Sequence, residues 1–391
     1  HIDPKNRMTI VEPGVTYSQL QPELAKQGLR LSMPLLPRSS KSVVASLIER
    51  EPTLIPKYRW LLSDPLRCVE VVWGNGDRMM TGEAGVFPSL QAAWEANFAQ
   101  LNPRGPAQVD YGKLIEAAQG TMGIVTWASL RCERLPKCQR LFLVPSKKLD
   151  ELLDFAYRLL RFRFGDELLI LNNSDLAYVL GKGADKIRAL RDELPQWVLI
   201  LNVCGRDMLP EEKIAFLEKD ISDIARQFGL RLLLSVPGAS STEVLEAILS
   251  PSREPYWKLS YKGKCQDIFF LTTLDRTPEF VRTMYSAAEA QGYSTSDIGI
   301  YIQPVQQGVS CHCEFSLPYN PSHQTEVTRV QQLLTGASEQ LLKQGAFFSR
   351  PYGIWADMAY SRDALTTILL KKVKGIFDPN NVMNPGKLCF S

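Results

Sequence analysis

The sequence predicts an α+β protein of more than one domain, and three observations carry that expectation. Short strands punctuated by Gly and Pro fill roughly residues 1–138. Strands alternate with amphipathic helices over about 139–350, and a helix with a Gly/Pro loop closes the chain. At 391 residues the chain is also long for one compact core.

In chain order, Met8 to Val11 is apolar and partly β-branched, a strand. Pro13-Gly14 breaks it, and Thr16 stands where an N-cap belongs, ahead of the helical run SQLQPELAKQG. VEVVWGNGDRM reads as strand, two-residue Asn75-Gly76 turn, strand. KCQRLFLVPSKKLDELLDFAYRLLR gives an apolar strand and then a helix with apolar positions Leu149, Leu152, Leu153, Phe155 and Leu159. KCQDIFFLTTLDRTPEFVRTMYSAAEAQG repeats that design, and both units run on into strands near LLILNN and IGIYIQPV. The pattern reads as a weak duplication of a strand-helix-strand unit, with two unrelated ordinary units as the alternative. RDALTTILLKKVKGIFD is the last helix, stopped by Pro379, and Asn384-Pro385-Gly386 forms a turn.

Composition narrows the function classes. An apolar fraction of 45% with 22% charged residues is globular, and a net charge of +3 gives no electrostatic ground for a nucleic-acid or anionic-membrane partner. The longest apolar runs, WVLILNVC and LRLLLSVPG, fall far short of a membrane span. Eight scattered cysteines suit buried thiols in a reducing compartment, so a cytoplasmic location is expected. The opening HIDPKNRMTIV has neither an initiating Met nor the pattern of a leader, which raises the question of whether it is a beginning or a middle.

Four segments could carry chemistry. PRSSKSVVASLIERE places hydroxyls and cations before a helical start, which suits either an anion or a plain helix cap. Gly120 and Gly123 flank Thr121-Met122 ahead of a strand, where a backbone could approach a flat or anionic group, or merely turn. In CHCEF, alternation puts Cys311 and Cys313 on one strand face and His312 with Glu314 on the other, so the three cannot readily share a metal. His312 then lines a cavity or is a satisfied core histidine. Arg350, among aromatics in GAFFSRPYGIWADMAY, needs an anion or a ring to stack on, with Asp357 as the structural alternative. No GxSxG, HExxH or Walker loop is present.

Taken in order, VEPGVTYSQLQ (11–21), PRSSKSVVASLIERE (37–51), VEVVWGNGDRMMTGEAG (69–85), QGTMGIVTWASL (119–130), FFSRPYGIWADMAY (347–360) and IFDPNNVMNPGKL (376–388) resemble the vanillyl-alcohol oxidase and p-cresol methylhydroxylase family of FAD-linked oxidoreductases. The resemblance implies a flavin-binding domain over 1–138, a cap or substrate domain with an antiparallel sheet over 139–350, and a return to the flavin domain over 351–391. It also implies that the N-terminal part of the flavin domain is absent, so that His1 is a middle.

Residue by residue, the resemblance places Pro13, Gly14 and Val15 along the flavin. Ser39, Ser40 and Ser42 stand where the family often has glycines beside the cofactor. Gly120, Gly123, Ile124 and Val125 match a segment holding the adenosine half, and Pro385, Gly386 and Lys387 match the closing loop. Arg350 matches an arginine near flavin and substrate phenolate, with Tyr58, Tyr352 and His312 as further candidates; no metal is expected. The implied activity is FAD-dependent hydride abstraction from a para-substituted phenol, motivated also by the lack of a GHIGDGNLH-type metal motif. The alternatives are a glycolate- or D-lactate-type 2-hydroxy acid dehydrogenase, and a flavin-free subunit with a binding role. Implied partners are a small aromatic or hydroxy-acid substrate, an electron-acceptor protein, a companion chain supplying the rest of the flavin domain, and further copies of the chain.

Overall fold

The computed structural model describes residues 1–57, 65–105 and 110–390. The first block runs β1 (Ile2–Asp3), β2 (Met8–Val11), α1 (Tyr17–Lys26), β3 (Leu29–Arg30), α2 (Val43–Ile48) and β4 (Leu66–Trp73). It continues with β5 (Arg78–Met80), α3 (Leu90–Glu95), β6 (Gly123–Arg131) and β7 (Glu133–Arg134). Five strands form one antiparallel sheet in the order β1-β2-β6-β4-β5, while β3 pairs with β7. Tyr17, Leu24, Val43, Leu47, Val71 and Leu130 fill the core between this sheet and α1 and α2.

Local chemistry sets these elements. Thr16 caps α1 in a capping box: its hydroxyl accepts from Gln19 N, and Gln19 Oε1 accepts from Thr16 N. The β4–β5 hairpin closes differently from the sequence expectation. Trp73 N donates to Asp77 O at 2.9 Å and Gly76 N to Trp73 O at 2.9 Å, so the loop is the three residues 74–76. Gly76 takes φ +90°, the left-handed position that such a loop needs. Asn75 N meanwhile donates to Phe377 O at 2.9 Å, a contact from the far end of the chain.

The middle of the chain begins β8 (Cys138–Ser146), α4 (Asp150–Phe162), β9 (Leu168–Asn172), α5 (Asn173–Leu180), α6 (Ala184–Glu193) and β10 (Trp197–Gly205). After α7 (Pro210–Gln227), the small β11 (Ser235–Val236) and β12 (Ala239–Ser240) pair, and α8 (Ser241–Ile248) follows. Then come β13 (Lys264–Thr272), α9 (Thr277–Ala290), β14 (Gly299–Val305), β15 (Ser310–Tyr319) and α10 (Gln324–Lys343). Six strands make a second antiparallel sheet in the order β13-β15-β14-β9-β10-β8.

That order has two matching halves. Each half starts on an edge strand (β8 or β13), crosses by a helix (α4 or α9) to an inner strand (β9 or β14), and fills the gap with its third strand. The halves meet at β9–β14 through two residue pairs, Tyr301–Leu171 and Ile302–Ile170. Asn172 reinforces the join: its Nδ2 donates to Ile298 O and its Oδ1 accepts from Ile300 N, both at 2.8 Å. The duplication read from the sequence is therefore present in the topology.

The two sheet faces differ. One packs Phe142, Ile170, Phe270, Ile300, Cys311, Cys313 and Phe315 against the helices, including Leu152, Phe155 and Leu159 of α4. Each such buried side chain contributes about 1.5–3 kcal/mol. The other face is apolar at the β8 end, with Leu141, Leu143 and Ile200, and polar at the β13 end. All eight cysteines are free.

The chain closes with α11 (Ile354–Tyr360), α12 (Ala364–Phe377) and a loop that returns to the first block. Phe377 packs on Trp73 with ring centroids 4.5 Å apart. Lys374, itself buried, donates to Thr121 O at 2.5 Å and to Met383 O at 3.1 Å and pairs with Asp378, while Asn384 Nδ2 donates to Gln119 O at 2.6 Å. The opposite side of α12 turns Leu365, Ile368, Leu369 and Ile376 to solvent. No helix among the described residues is long and apolar enough to cross a membrane.

Candidate functional site

A cavity of about 230 Å³ lies where the segment 34–52 of the first block meets the β13 end of the second sheet. Strand alternation supplies its floor. Asp267 and Phe269 of β13, Tyr301 of β14, and His312 and Glu314 of β15 all line it, with Phe269 and Tyr301 both paired to Glu314 across the ladder. Trp257 and Lys258 come from a single 3₁₀ turn, Trp257–Leu259, ahead of β13. Pro34, Pro37, Arg38, Lys41 and Glu51 form the wall contributed by the first block, and Arg350 completes it.

The polar groups of the floor are tightly paired. Lys258 Nζ donates to a Glu314 oxygen and lies 2.9 Å from Asp267 Oδ2, while His312 Nε2 is 3.0 Å from the other Glu314 oxygen. Burial works to raise the Glu314 pKa, but Lys258, followed by the hydrogen bond from His312, outweighs it and holds the carboxylate well below its usual range. Burial lowers the pKa of His312, opposed by Glu314, so the ring stays neutral and its Nε2–H donates to the carboxylate. Behind this floor Asp175 is fully buried with both oxygens unpartnered, because Gly299 lets it pack where a side chain would collide. Burial raises its carboxyl to about 7, although Lys258 acts to lower it.

Arg350 is different. It is 7% exposed, and its guanidinium lies 4.1 Å over the Phe269 ring. Among the described residues it makes no ion pair; Asp357 sits on the exposed side of α11, so the Arg–Asp pair considered from sequence does not form. Phe269 is itself boxed by Trp355 at 5.1 Å and Tyr352 at 6.2 Å. Arg38 stacks over Tyr256 at 4.1 Å at the cavity edge, joining the first block to the second. Arg50, which sequence reasoning missed, donates to Ser349 O at 3.1 Å, leaves its buried Nε without a partner, and repels Arg350 electrostatically.

The other expected residues fall partly together and partly apart. Val43 N donates to Val15 O at 3.0 Å, and the Ser42 hydroxyl donates to Pro13 O. Ala117 N donates to Ile48 O at 2.8 Å, and Gln119 Nε2 to Pro351 O at 3.0 Å. These bonds bring the segments of Pro13-Gly14-Val15, Ser42, Gly120 and, through Asn384, Pro385-Gly386-Lys387 side by side. A side chain at Gly14 or Gly386 would meet open space, and Ile124 is 60% exposed. Gly123 is instead packed on Val72, and Val125 lies against the first core. Ser39 is half-buried and Ser40 exposed.

The anion site considered at PRSSK is not built. Helix α2 has six residues, Ser42 itself caps it by accepting from Ala45 N, and Lys41 is held by Glu49 at 3.0 Å and Glu51 at 2.8 Å. Tyr58 lies outside the described residues.

Lys258 and Asp267 were also missed. The one sequence signal for them is a charge at Asp267, two residues before Phe269 and next to the apolar run IFFL. Glu314, which Lys258 bridges to Asp267, lies 56 residues beyond the lysine and 47 beyond the aspartate.

Comparison with known proteins decides the class. The profile of FAD linked oxidases, C-terminal domain, matches residues 354–388, the segment that carries α11, α12 and the closing loop. The chain is an FAD-linked oxidoreductase. It is similar in fold to p-cresol methylhydroxylase with substrate bound (TM-score 0.82, 16% identity, 100% of this chain and 78% of that one). It is likewise similar to 4-ethylphenol oxidase from Gulosibacter chungangensis in an isoeugenol complex (TM-score 0.81, 18% identity, 99% and 77%). In sequence it is 21% identical to D-2-hydroxyglutarate dehydrogenase from Stutzerimonas stutzeri (strain A1501), over 98% of this chain and 77% of that protein. The resemblance to the vanillyl-alcohol oxidase and p-cresol methylhydroxylase family thus holds for fold, cofactor and class of enzyme.

The residues present fit FAD. An open surface lined by glycines runs beside the cavity, and at its end Arg50 and Arg350 offer a partnerless buried donor and an unpaired cation.

Proposed function

We propose that this FAD-linked enzyme abstracts hydride from the benzylic carbon of a para-substituted phenol. The observation that carries the proposal is Arg350: a buried guanidinium with no ion-pair partner among the described residues, stacked on Phe269 and facing a cavity walled in part by aromatic rings. A cation so placed favours a bound phenolate over the phenol, and a phenolate releases hydride from its para carbon more readily. Phe269, Tyr301 and Trp257 provide flat apolar surface for the ring. Glu314 and Asp267 would repel a phenolate; Lys258 offsets one of their two charges, Arg350 supplies a further cation, and neutral His312 donates its N–H to Glu314. Bound FAD would accept the hydride.

In this reading Pro13, Gly14, Val15, Gly120, Ile124, Pro385, Gly386 and Lys387 hold the flavin by backbone and surface contact. Ser42 shapes the Pro13 turn, and Arg50 with Arg350 faces the charge that develops on the reduced ring. Tyr352, beside Phe269 and with its hydroxyl pKa raised to about 12 by burial, is the tyrosine we assign to the phenolic oxygen. The test is anaerobic mixing of FAD-loaded protein with 4-alkylphenols and vanillyl alcohol. Bleaching of the flavin supports the proposal, and a flavin that stays oxidised with all of them sinks it.

A second reading has its own support in the hydroxy-acid dehydrogenase relative: a 2-hydroxy acid whose carboxylate meets Arg350. Bleaching by a 2-hydroxy acid panel with none by phenols would select it.

A further inference from the structure

We infer that the chain holds a second ligand site, for a neutral and mainly apolar molecule that carries one hydrogen-bond acceptor. A cavity of about 390 Å³ opens between the first block and the second sheet, and it shares no lining residue with the cavity around Arg350. Both blocks contribute, from α1 and β3 on one side and from the start of β8 and the end of α8 on the other.

Its polar end is Arg30, 8% exposed. Nη1 meets Glu167 at 3.0 Å, but Nε and Nη2 have no hydrogen-bond partner among the described residues. The next carboxylate oxygens, of Glu133 and Asp166, are 3.6 and 3.8 Å from Nη2, beyond hydrogen-bond reach. Ser32 Oγ, on the same wall, is also buried and unpartnered. Buried donors left unmade are costly, and two residues leaving three such polar atoms on one cavity mark a place for an acceptor.

Charge decides the class of acceptor. Arg30, Lys57 and Arg206 face Glu133, Asp166 and Glu167, three cations against three carboxylates, bridged at 2.6–3.8 Å. With no surplus positive charge, an anion gains nothing there that a neutral carbonyl does not, and it adds a desolvation cost. Leu31, Met33, Leu54 and Leu249 give the apolar lining, beside Gln21 and Gln139, whose side chains are already bonded to Leu31 and Asn202. Water would satisfy the donors but would leave those side chains wet, whereas an alkyl chain ending in a carbonyl satisfies both.

The test is ligand-observed NMR titration of the purified chain with 2-heptanone, with heptanoate as the anionic comparison. Leu135, at the rim and 41% exposed, takes a larger side chain without disturbing the core. The expected result is saturable 2-heptanone binding, weakened about tenfold by Ser32→Val through the lost hydrogen bond and by about tenfold or more by Leu135→Trp. Arg350→Met should leave it unchanged, and heptanoate should bind about tenfold more weakly or worse. No binding, binding indifferent to Leu135→Trp, binding lost in Arg350→Met, or heptanoate binding equally well would each overturn the inference.

Discussion

The guanidinium of Arg350 lies 4.1 Å above the ring of Phe269, 81 positions earlier in the chain, and no carboxylate of the described protein reaches it. A cation held by a ring and open to a cavity acts on what enters, and adds little to the fold. Arg350→Met should therefore lower kcat/KM for the substrate by about 10²–10³-fold, the loss typical of one transition-state charge contact, with little change in urea midpoint. Arg350→Lys should recover only part of it, since a point charge does not stack like a planar guanidinium. Stopped-flow flavin reduction with urea melts checks both; a large stability loss with normal kinetics would contradict this.

Glu314 gives the fold an acid-side sensitivity. Its native pKa is depressed below the ordinary 4.5, so its stabilising contribution is fully present above that value and is lost as pH falls toward the native one. His312, lowered from 6.5, adds the same sign: its contribution is present above 6.5 and is lost as pH falls through the native value. Glu314→Gln, which leaves Lys258 with only Asp267, should cost about 3–5 kcal/mol at pH 7. The gap to wild type should narrow toward pH 4 in urea melts, and a constant gap would refute the assignment.

Asp175 should behave the opposite way. Its carboxyl is raised from 3.8 to about 7, so the native state holds the proton more tightly and stability from this group declines as pH rises from about 4 to 7. Asp175→Asn removes that decline. Its benefit should be larger at pH 8 than at pH 5 by more than about 1 kcal/mol, at about 1.4 kcal/mol per pH unit over part of that window. Thermal melts at the two pH values decide it.

Lys374→Met leaves Asp378 buried and unpaired and Thr121 O and Met383 O without their donor. We expect about 3–5 kcal/mol of destabilisation, concentrated in the closing segment, so that limited proteolysis should cut near 378–388 well before the sheets unfold. Uniform loss of protection across the chain would argue against this.

Much of the fold was legible because its signals are local. Thr16 and Gln19 sit three apart, and the alternation that parts Cys311 and Cys313 from His312 and Glu314 needs only a strand. The Asn75-Gly76 turn was misjudged by one residue, because the left-handed conformation at Gly76 and the bond from Asn75 to Phe377 select a longer loop. The floor of the site was not legible. Lys258 meets Glu314 across 56 residues, and nothing in YWKLSY marks the lysine as buried. Arg50, in LIERE just past the end of α2, becomes notable only when Ser349 and Arg350 fold back onto it.

The join between β9 and β14 has a kinetic consequence. Two residue pairs, the Asn172 amide and a bond from Gln303 Nε2 to Leu168 O at 3.0 Å span it, so it is the shortest ladder of the second sheet, and Tyr301 sits on that line while also lining the cavity. Amides of Leu171 and Ile302 should exchange with solvent through openings smaller than global unfolding, while β10 and β15 stay protected. Breathing along this line would carry Tyr301 with it, so the shape of the cavity is tied to the weakest ladder of the sheet.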